Sequence, residues 1–299
     1  MTVLTRTIGT GEDQLARMRE LATRLWSWSS RWHPGELAAF WWERGGPLEE
    51  WRISTWQRND VTVGWAWSKS PGRLDVQVDP AHPELTDLIL DWFEDSPVGR
   101  PRTVVTVLEA ESSLIRAFEE RGFAVDPAGP YFAHLRLDLS DLAGEATAVG
   151  EFKARPVRGL SDAEKRADLH RAVFGGDRRG GEVNSRAYRS LMGDEQYRRG
   201  LDWLVESADG TPAAYCLAWL DPVNAVAALE PVGTDPRYRR RGLARLAMLG
   251  ALRAARDEGA EYVRVCARGD DGYTAAKALY EDLGFRCYAR NVKLVRDAA

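Results

Sequence analysis

The chain is poor in everything that would tie it to an oxidising compartment, a metal ion or a membrane. Its three cysteines, Cys216, Cys266 and Cys287, are odd in number and widely spaced. They offer neither a disulfide framework nor a zinc pattern, and are expected to be reduced thiols. Four scattered histidines add no metal motif. No apolar run approaches the roughly 18 residues that a membrane span requires. The stretch from Met1 to Gly9 lacks the long apolar core of a secretory signal. These absences lead to the expectation of a cytoplasmic protein with no metal and no membrane contact. An excess of positive charge is missing as well. A formal net charge of −4 gives no global reason to expect nucleic acid.

What is present suits a globular protein of two domains. The chain has 299 residues, 44% hydrophobic and 29% charged. Ten of its twelve tryptophans lie at or before Trp92. Such a concentration reads as a core built from large aromatics rather than as a ligand wall. Two segments echo each other. Asp79-Pro80 and Asp235-Pro236 are 156 residues apart, and Gly122-Phe123 and Gly284-Phe285 are 162 apart. Between each such pair the pattern runs helix, strand, helix, so one fold is used twice.

Periodicity fills in the copies. In the first, Glu12 to Ser27 reads as a helix, with Leu15, Met18, Leu21, Ala22 and Leu25 on one stripe. Val61 to Trp67 and Leu74 to Val78 form a hairpin, followed by a helix at Pro83 to Glu94. A strand at Thr103 to Leu108, a helix at Ser112 to Arg121 and a strand at Phe132 to Leu139 complete it. Leu142 to Gly150 reads as a linker, so the boundary falls between 147 and 148. In the second copy, a strand at Phe152 to Val157 precedes a helix at Ser161 to Phe174, with Ser161 and Glu164 as a capping box. Strands follow at Leu201 to Ser207, Ala213 to Leu220 and Ala225 to Val232, then a helix at Gly242 to Glu258. The last elements are a strand at Tyr262 to Ala267, a helix at Thr274 to Leu283 and a strand at Cys287 to Val295. The expected class is α/β (α+β), with one mixed sheet per half.

The chemistry gathers in the run from Glu230 to Leu246. A strand ends, a short basic loop follows, and a helix starts at Gly242 behind Arg239, Arg240 and Arg241. The first turn of a helix carries unpaired N–H groups and the positive end of its macrodipole, a natural anion site. Gly242 lets the backbone approach an anion closely, and arginines add forked donors. Glu230 is a lone carboxylate in an apolar strand, costly unless paired or used.

Arg239-x-x-Gly242-x-Ala244, with Ala278-Leu-Tyr-Glu-Asp-Leu-Gly-Phe285 behind it, resembles the signature of the GNAT N-acetyltransferase superfamily. The resemblance implies two tandem GNAT folds, 1–147 degenerate and 148–299 catalytic. It implies acetyl-CoA as co-substrate and a small-molecule primary amine as acceptor, with no metal. Val232, Gly233 and Thr234 would pair with the pantetheine arm. Arg239, Arg240, Arg241, Gly242, Leu243 and Ala244 would cradle the pyrophosphate. Tyr280 would protonate the departing thiolate, and Glu230 would serve as base. The tandem layout is similar to that of mycothiol synthases, but their base glutamate would fall at Ala228, so only the architecture carries over. In the first copy Asp79-Pro80 is followed by Pro83, Glu84 and Asp87 with no glycine or arginine cluster, and Phe118 replaces Tyr280. This copy is expected to have lost the cofactor site and to wall the cleft. Acceptor choice is expected from the loop Gly175 to Arg199. A homodimer is compatible with the sequence. The competing readings are a non-catalytic acyl-CoA-binding sensor or scaffold, and transfer to a protein amine. A nucleic-acid binder using Arg237 to Arg241 is disfavoured by the net charge.

Overall fold

The last strand of the chain does not return to its own half. A computed structural model describes residues 4–70, 72–95, 102–127, 130–142, 144, 147–175 and 183–297. The first copy comprises β1 (Leu4–Ile8), α1 (Glu12–Arg24), α2 (Pro34–Trp42), β2 (Arg52–Arg58), β3 (Val61–Ser70), β4 (Arg73–Val78), α3 (Leu85–Glu94), β5 (Arg102–Leu108), α4 (Ser112–Glu120), β6 (Ala124–Val125) and β7 (Phe132–Asp138). After β8 (Ala148–Val149), the second comprises β9 (Phe152–Pro156), α5 (Ala163–Phe174), α6 (Ser185–Met192), β10 (Asp202–Glu206), β11 (Pro212–Asp221), β12 (Val226–Thr234), α7 (Leu243–Asp257), β13 (Tyr262–Arg268), α8 (Ala275–Asp282) and β14 (Arg286–Asp297).

All the strands join one mixed sheet, in the order β1-β2-β3-β4-β5-β14-β7-β13-β12-β11-β10-β9-β8, with β6 on β14. Each half has its mixed sheet, as expected, and the two are continuous through β14. β14 is antiparallel to β5 of the first copy, with Lys293 opposite Thr106. β7 is antiparallel to β13 of the second copy, with Val265 opposite Leu135. Each copy thus lends its final strand to the other. A boundary at 147/148 separates the repeats along the chain but not in the sheet. The exchange buries apolar side chains on the far side: Leu135 and Leu137 of β7 sit in the core of the second half beside Val263, Val265 and α7. Leu294 of β14 joins the core of the first half.

The anticipated elements form, with differences at their ends and in the gaps. The stripe Leu15, Met18, Leu21 and Ala22 is buried. Trp32, Trp41, Trp51, Trp65 and Trp67 make a core of edge-on and tilted rings, as their crowding suggested. The capping box at Ser161 is absent. Leu160–Asp162 is a 3₁₀ turn, and the α5 N-terminus has no side-chain cap. Asp162 is occupied by Arg155, at 2.7 Å, and by the Arg158 backbone N–H. The linker Leu142 to Gly150 contains β8, which pairs with β9. In the loop Gly175 to Arg199, residues 176–182 lie outside the described residues, and Ser185–Met192 is helical with Asn184 accepting from the Ala187 N–H.

Helix α2 went unread in the sequence, and it joins the halves. His33 caps it, accepting from the Gly35 N–H, while Glu36 reaches back to the His33 N–H. Pro34 sits at its start, where a missing N–H costs nothing. Gly35 is pressed on the second half so closely that a Cβ there would lie 2.1 Å from Trp219 Cβ. His33 Nε2 lies 3.3 Å from the Val226 carbonyl, and Asn224 Nδ2 donates to the Thr23 carbonyl at 2.9 Å. Trp42 Nε1 donates to Asp194 at 2.5 Å, and Arg19 pairs with the same carboxylate.

Candidate active site

Strands β12 and β13 run parallel and pair only from Val226–Tyr262 to Ala228–Arg264. Beyond that point each continues, to Thr234 and to Arg268, without pairing to the other. On its other side β12 slips against β11: Leu229 faces Ala218 but Val232 faces Cys216. Glu230 and Pro231 therefore oppose the single residue Leu217, a β-bulge that turns the strand where the sheet opens. Val232, Gly233 and Thr234 lie past the bulge, paired to β11 on one edge and open toward the gap on the other.

The basic loop closes that gap. Asp235 accepts from the Arg237 N–H and binds its guanidinium, which fixes a 3₁₀ turn at Pro236–Tyr238. Arg240 has φ of 63° and Gly242 of 75°. These left-handed residues bring the chain round to start α7 at Leu243. Nothing lies within 4 Å of where a Gly242 side chain would begin. Arg239, Arg240 and Arg241 are exposed and make no ion pair among the described residues. Free helix N–H groups, an open approach and exposed arginines are the parts from which an anion cradle is made. Leu243 is buried in the core, and Ala244 keeps the first turn narrow.

Glu230 faces a cavity between the two halves. Its carboxyl makes no ion pair or hydrogen bond among the described residues, although its carbonyl accepts from Trp219 Nε1 at 2.8 Å. Burial, with Glu36 and Glu43 of the first copy nearby, pushes it up to about 8. Ala228 is buried within the parallel ladder. Tyr280 is buried on α8 against Phe285. Burial, then the charge of Glu230, raise its phenol well above the usual range, so it holds its proton. Phe118 is fully buried against Phe123 in the first half and takes no part in the cavity.

The cavity wall contains groups that the sequence reading missed. Arg264 is buried at 0% exposure. It pairs with Glu36 at 3.2 Å and donates to the Arg31 carbonyl at 3.0 Å and to His134 Nδ1 at 2.7 Å. All three partners belong to the first copy. With Nδ1 accepting, His134 donates from Nε2 to Asn291 Oδ1, 2.7 Å away. Burial and Arg264 hold His134 at about 2, so it is neutral. A lone arginine in the apolar strand Tyr262 to Ala267 was the signal available, since such a charge must be paired. Its partners lie over 120 residues away and could not be read. His170 lines the same cavity and bonds the Tyr215 hydroxyl at 3.0 Å. Among the described residues no group of three or more His, Cys, Asp or Glu side chains could hold a metal ion. No described helix is long and apolar enough to cross a membrane.

A sheet opened at a bulge beside a glycine-led helix terminus, in a chain built from two interlocked copies, defines a tandem α/β fold. Residues 178–285 match the family model "Acetyltransferase (GNAT) family", and a solved tandem GNAT protein shares the fold of the whole chain. The mycothiol acetyltransferase of Nocardiopsis dassonvillei is 29% identical over 187 residues, covering 53% of this chain and 54% of that protein. The chain thus spans about half the length of this curated relative. An acetyltransferase of the GNAT family from Colwellia psychrerythraea has a similar structure, with a TM-score of 0.64 at 14% identity, covering 97% of this chain and 99% of that one. So does a tandem GNAT protein from the clavulanic acid biosynthesis pathway, with a TM-score of 0.62 at 15% identity and 99% coverage of both.

Proposed function

We propose that the chain is an acetyl-CoA-dependent N-acetyltransferase that acts on a primary amine of a small molecule by direct attack. One observation carries this reading: an unpaired carboxyl, Glu230, sits on the bulge where the sheet opens, and the same strand leads into an open anion cradle. Acetyl-CoA supplies the activated acetyl group. Gly242, Leu243 and Ala244 would hold its pyrophosphate through backbone N–H groups, with Arg239, Arg240 and Arg241 adding charge. The free edge at Val232, Gly233 and Thr234 would hold the pantetheine arm. Glu230 takes the proton from the incoming ammonium, directly or through one water. Tyr280 gives its proton to the departing sulfur. A cavity walled by both halves favours a small acceptor over a protein side chain. A binding-only protein would hold coenzyme A and turn nothing over.

Turnover with a panel of amines tests the reading. A base held near 8 must be ionised to act, so kcat/KM rises with pH through about 8. Glu230→Gln lowers it by about 10²- to 10⁴-fold, the usual span for general-base removal, and loses that rise. An unchanged pH profile removes Glu230 from the mechanism. Stability gives an independent check. The folded-state value lies above the ordinary 4.5, so ionisation costs stability as pH rises from 4.5 to about 8. Glu230→Gln should therefore melt higher than the wild type at pH 9 and about equally at pH 5.

Tyr280→Phe should cut kcat by about tenfold or more while the acetyl-CoA dissociation constant stays within about twofold, because the hydroxyl acts as the thiolate leaves. Equal turnover under chemistry-limited conditions sinks that role.

A further inference from the structure

The unpaired runs of β12 and β13 part like the arms of a V, and each arm is flanked at its open end by an exposed phenylalanine. Alternation along the strands decides which residues face the cavity. Val263, Val265 and Ala267 of β13 and Ala133, Leu135 and Leu137 of β7 lie in the core of the second half. Cys266 of β13, and His134 and Phe132 of β7, therefore face the other way, and all three line the cavity. Phe132 stands opposite Arg268, the last residue of β13. The β12 arm is covered by α5. A Cβ at Gly233 would lie 2.8 Å from Cγ1 of Val173. Phe174, the next residue, lines the cavity with His170 one turn behind it, their rings 4.9 Å apart.

Two short rows of side chains thus wall the space beside Glu230, one from each copy. The first copy supplies His134 then Phe132, and the second His170 then Phe174. Both histidines are neutral, since burial holds His134 at about 2 and His170 at about 3. The charged groups beside them are matched within the wall: Arg264 pairs with Glu36 and Arg31 with Asp75, while Glu111 accepts the Arg31 N–H. Arg73 and Lys293 belong to the first copy's part of the sheet, beside β5. Phe132 is 45% exposed and Phe174 37%, although this chain buries most of its large aromatics. Exposed rings that face an enclosed space gain by being covered. The cavity measures about 650 Å³, within the ~300–1,000 Å³ of sites that enclose a whole small ligand. A charged or strongly polar group placed between two phenyl rings would lose its water without replacement.

We propose that the acceptor is a primary amine on an apolar body, alkyl or phenylalkyl, with its nitrogen at Glu230 and its body between Phe132 and Phe174. This rests on the transferase reading for the position of the amine, whereas the apolar subsite can be tested by binding alone. The two copies then share the choice of substrate, each through one ring.

Two measurements on the full chain decide it. The first compares straight-chain amines of two to six carbons and phenylpropylamine with amino alcohols and ω-amino acids of the same lengths. In the apolar series kcat/KM should rise about fourfold for each added methylene, and a terminal hydroxyl or carboxylate should remove that gain. Phe132→Ala and Phe174→Ala should each lower kcat/KM for phenylpropylamine by about 5- to 20-fold, through KM, and leave ethylamine within about twofold. Both side chains are exposed, so melting temperature and coenzyme A affinity should stay at wild-type values. Rates that do not change with chain length, or equal losses on ethylamine and phenylpropylamine, overturn the proposal. Loss of coenzyme A affinity in either variant assigns its ring to the cofactor and overturns it as well.

The second titrates phenylpropylamine and ethylamine calorimetrically into the protein without acetyl-CoA. Phenylpropylamine should bind the wild type at least about tenfold more tightly than ethylamine, and each variant should bind it at least about threefold more weakly. Binding of neither amine, or equal binding by both variants, overturns the apolar subsite. Selective binding of this kind without acetyl transfer to any amine overturns the transferase reading instead.

Discussion

Gly242→Glu is expected to abolish coenzyme A binding. The wild type should bind one coenzyme per chain, and the variant none in the concentration range that saturates the wild type. Two effects add. Gly242 has φ of 75°, where a side chain costs about 1–2 kcal/mol. More important, the space in front of it is empty. A glutamate would fill the approach of the pyrophosphate with bulk and a negative charge, and would cancel the helix terminus that attracts it. The carboxylate has room at the surface, so the fold should survive, and circular dichroism and melting check that. Gly242→Ala carries the backbone strain without the charge and should weaken binding only in part. Calorimetry showing Gly242→Glu within about threefold of the wild type would place the cradle elsewhere. The stoichiometry follows from the first copy. After Asp79, which Arg24 holds at 2.7 Å, the chain reaches α3 through Pro83 and Glu84 with no left-handed glycine and no arginine cluster. Two equivalent sites per chain would contradict this account.

Residues 150–299 expressed alone should be insoluble or unfolded, and inactive on any amine that the intact chain acetylates. The missing piece is more than a supporting wall. Cutting at 150 removes β7, the strand between β13 and β14. Leu135 and Leu137 leave the core of the second half with it, at roughly 2–5 kcal/mol each. Two antiparallel ladders are lost as well. Arg264 would be left buried without Glu36, the Arg31 carbonyl or His134, and breaking a buried pair costs about 3–5 kcal/mol. These losses exceed or match the roughly 5–15 kcal/mol that holds a domain folded. A soluble monomeric fragment with full activity would show the exchange to be dispensable. The informative control is a fragment beginning at 127, which restores β7 ahead of the second copy and should recover solubility in part.

Much of this was legible locally. The hairpin of β3 and β4, the strand β13, and the helices α1, α7 and α8 follow from periodicity and from glycine stops, because their information lies within a dozen residues. The helix at Pro34–Trp42 was not seen. Its run is apolar almost throughout, so no amphipathic stripe marks it, and His33 is an uncommon cap. Ser161 and Glu164 have capping-box spacing, yet Asp162 is drawn to Arg155 and the turn tightens instead. The candidate site divides in the same way. Tyr280, Gly242 and the arginines stand in a short motif, whereas Glu36, Glu43, His134 and Lys293 reach the cavity only through packing.

By itself, then, the sequence determined that one fold is used twice, that only the second copy keeps an anion loop, and that a lone glutamate enters it. Repeats, glycines and charges in apolar strands are local facts. The tertiary structure alone decided that the two copies exchange their last strands and that the cavity belongs to both. The physical reason is that β-pairing is set by edges meeting in space. β5 and β13 each offer an edge to a final strand, and either β7 or β14 could satisfy it. The buried fit of Leu135 and Leu137 on one side and Leu294 on the other selects between them, and sequence spacing carries no trace of that choice.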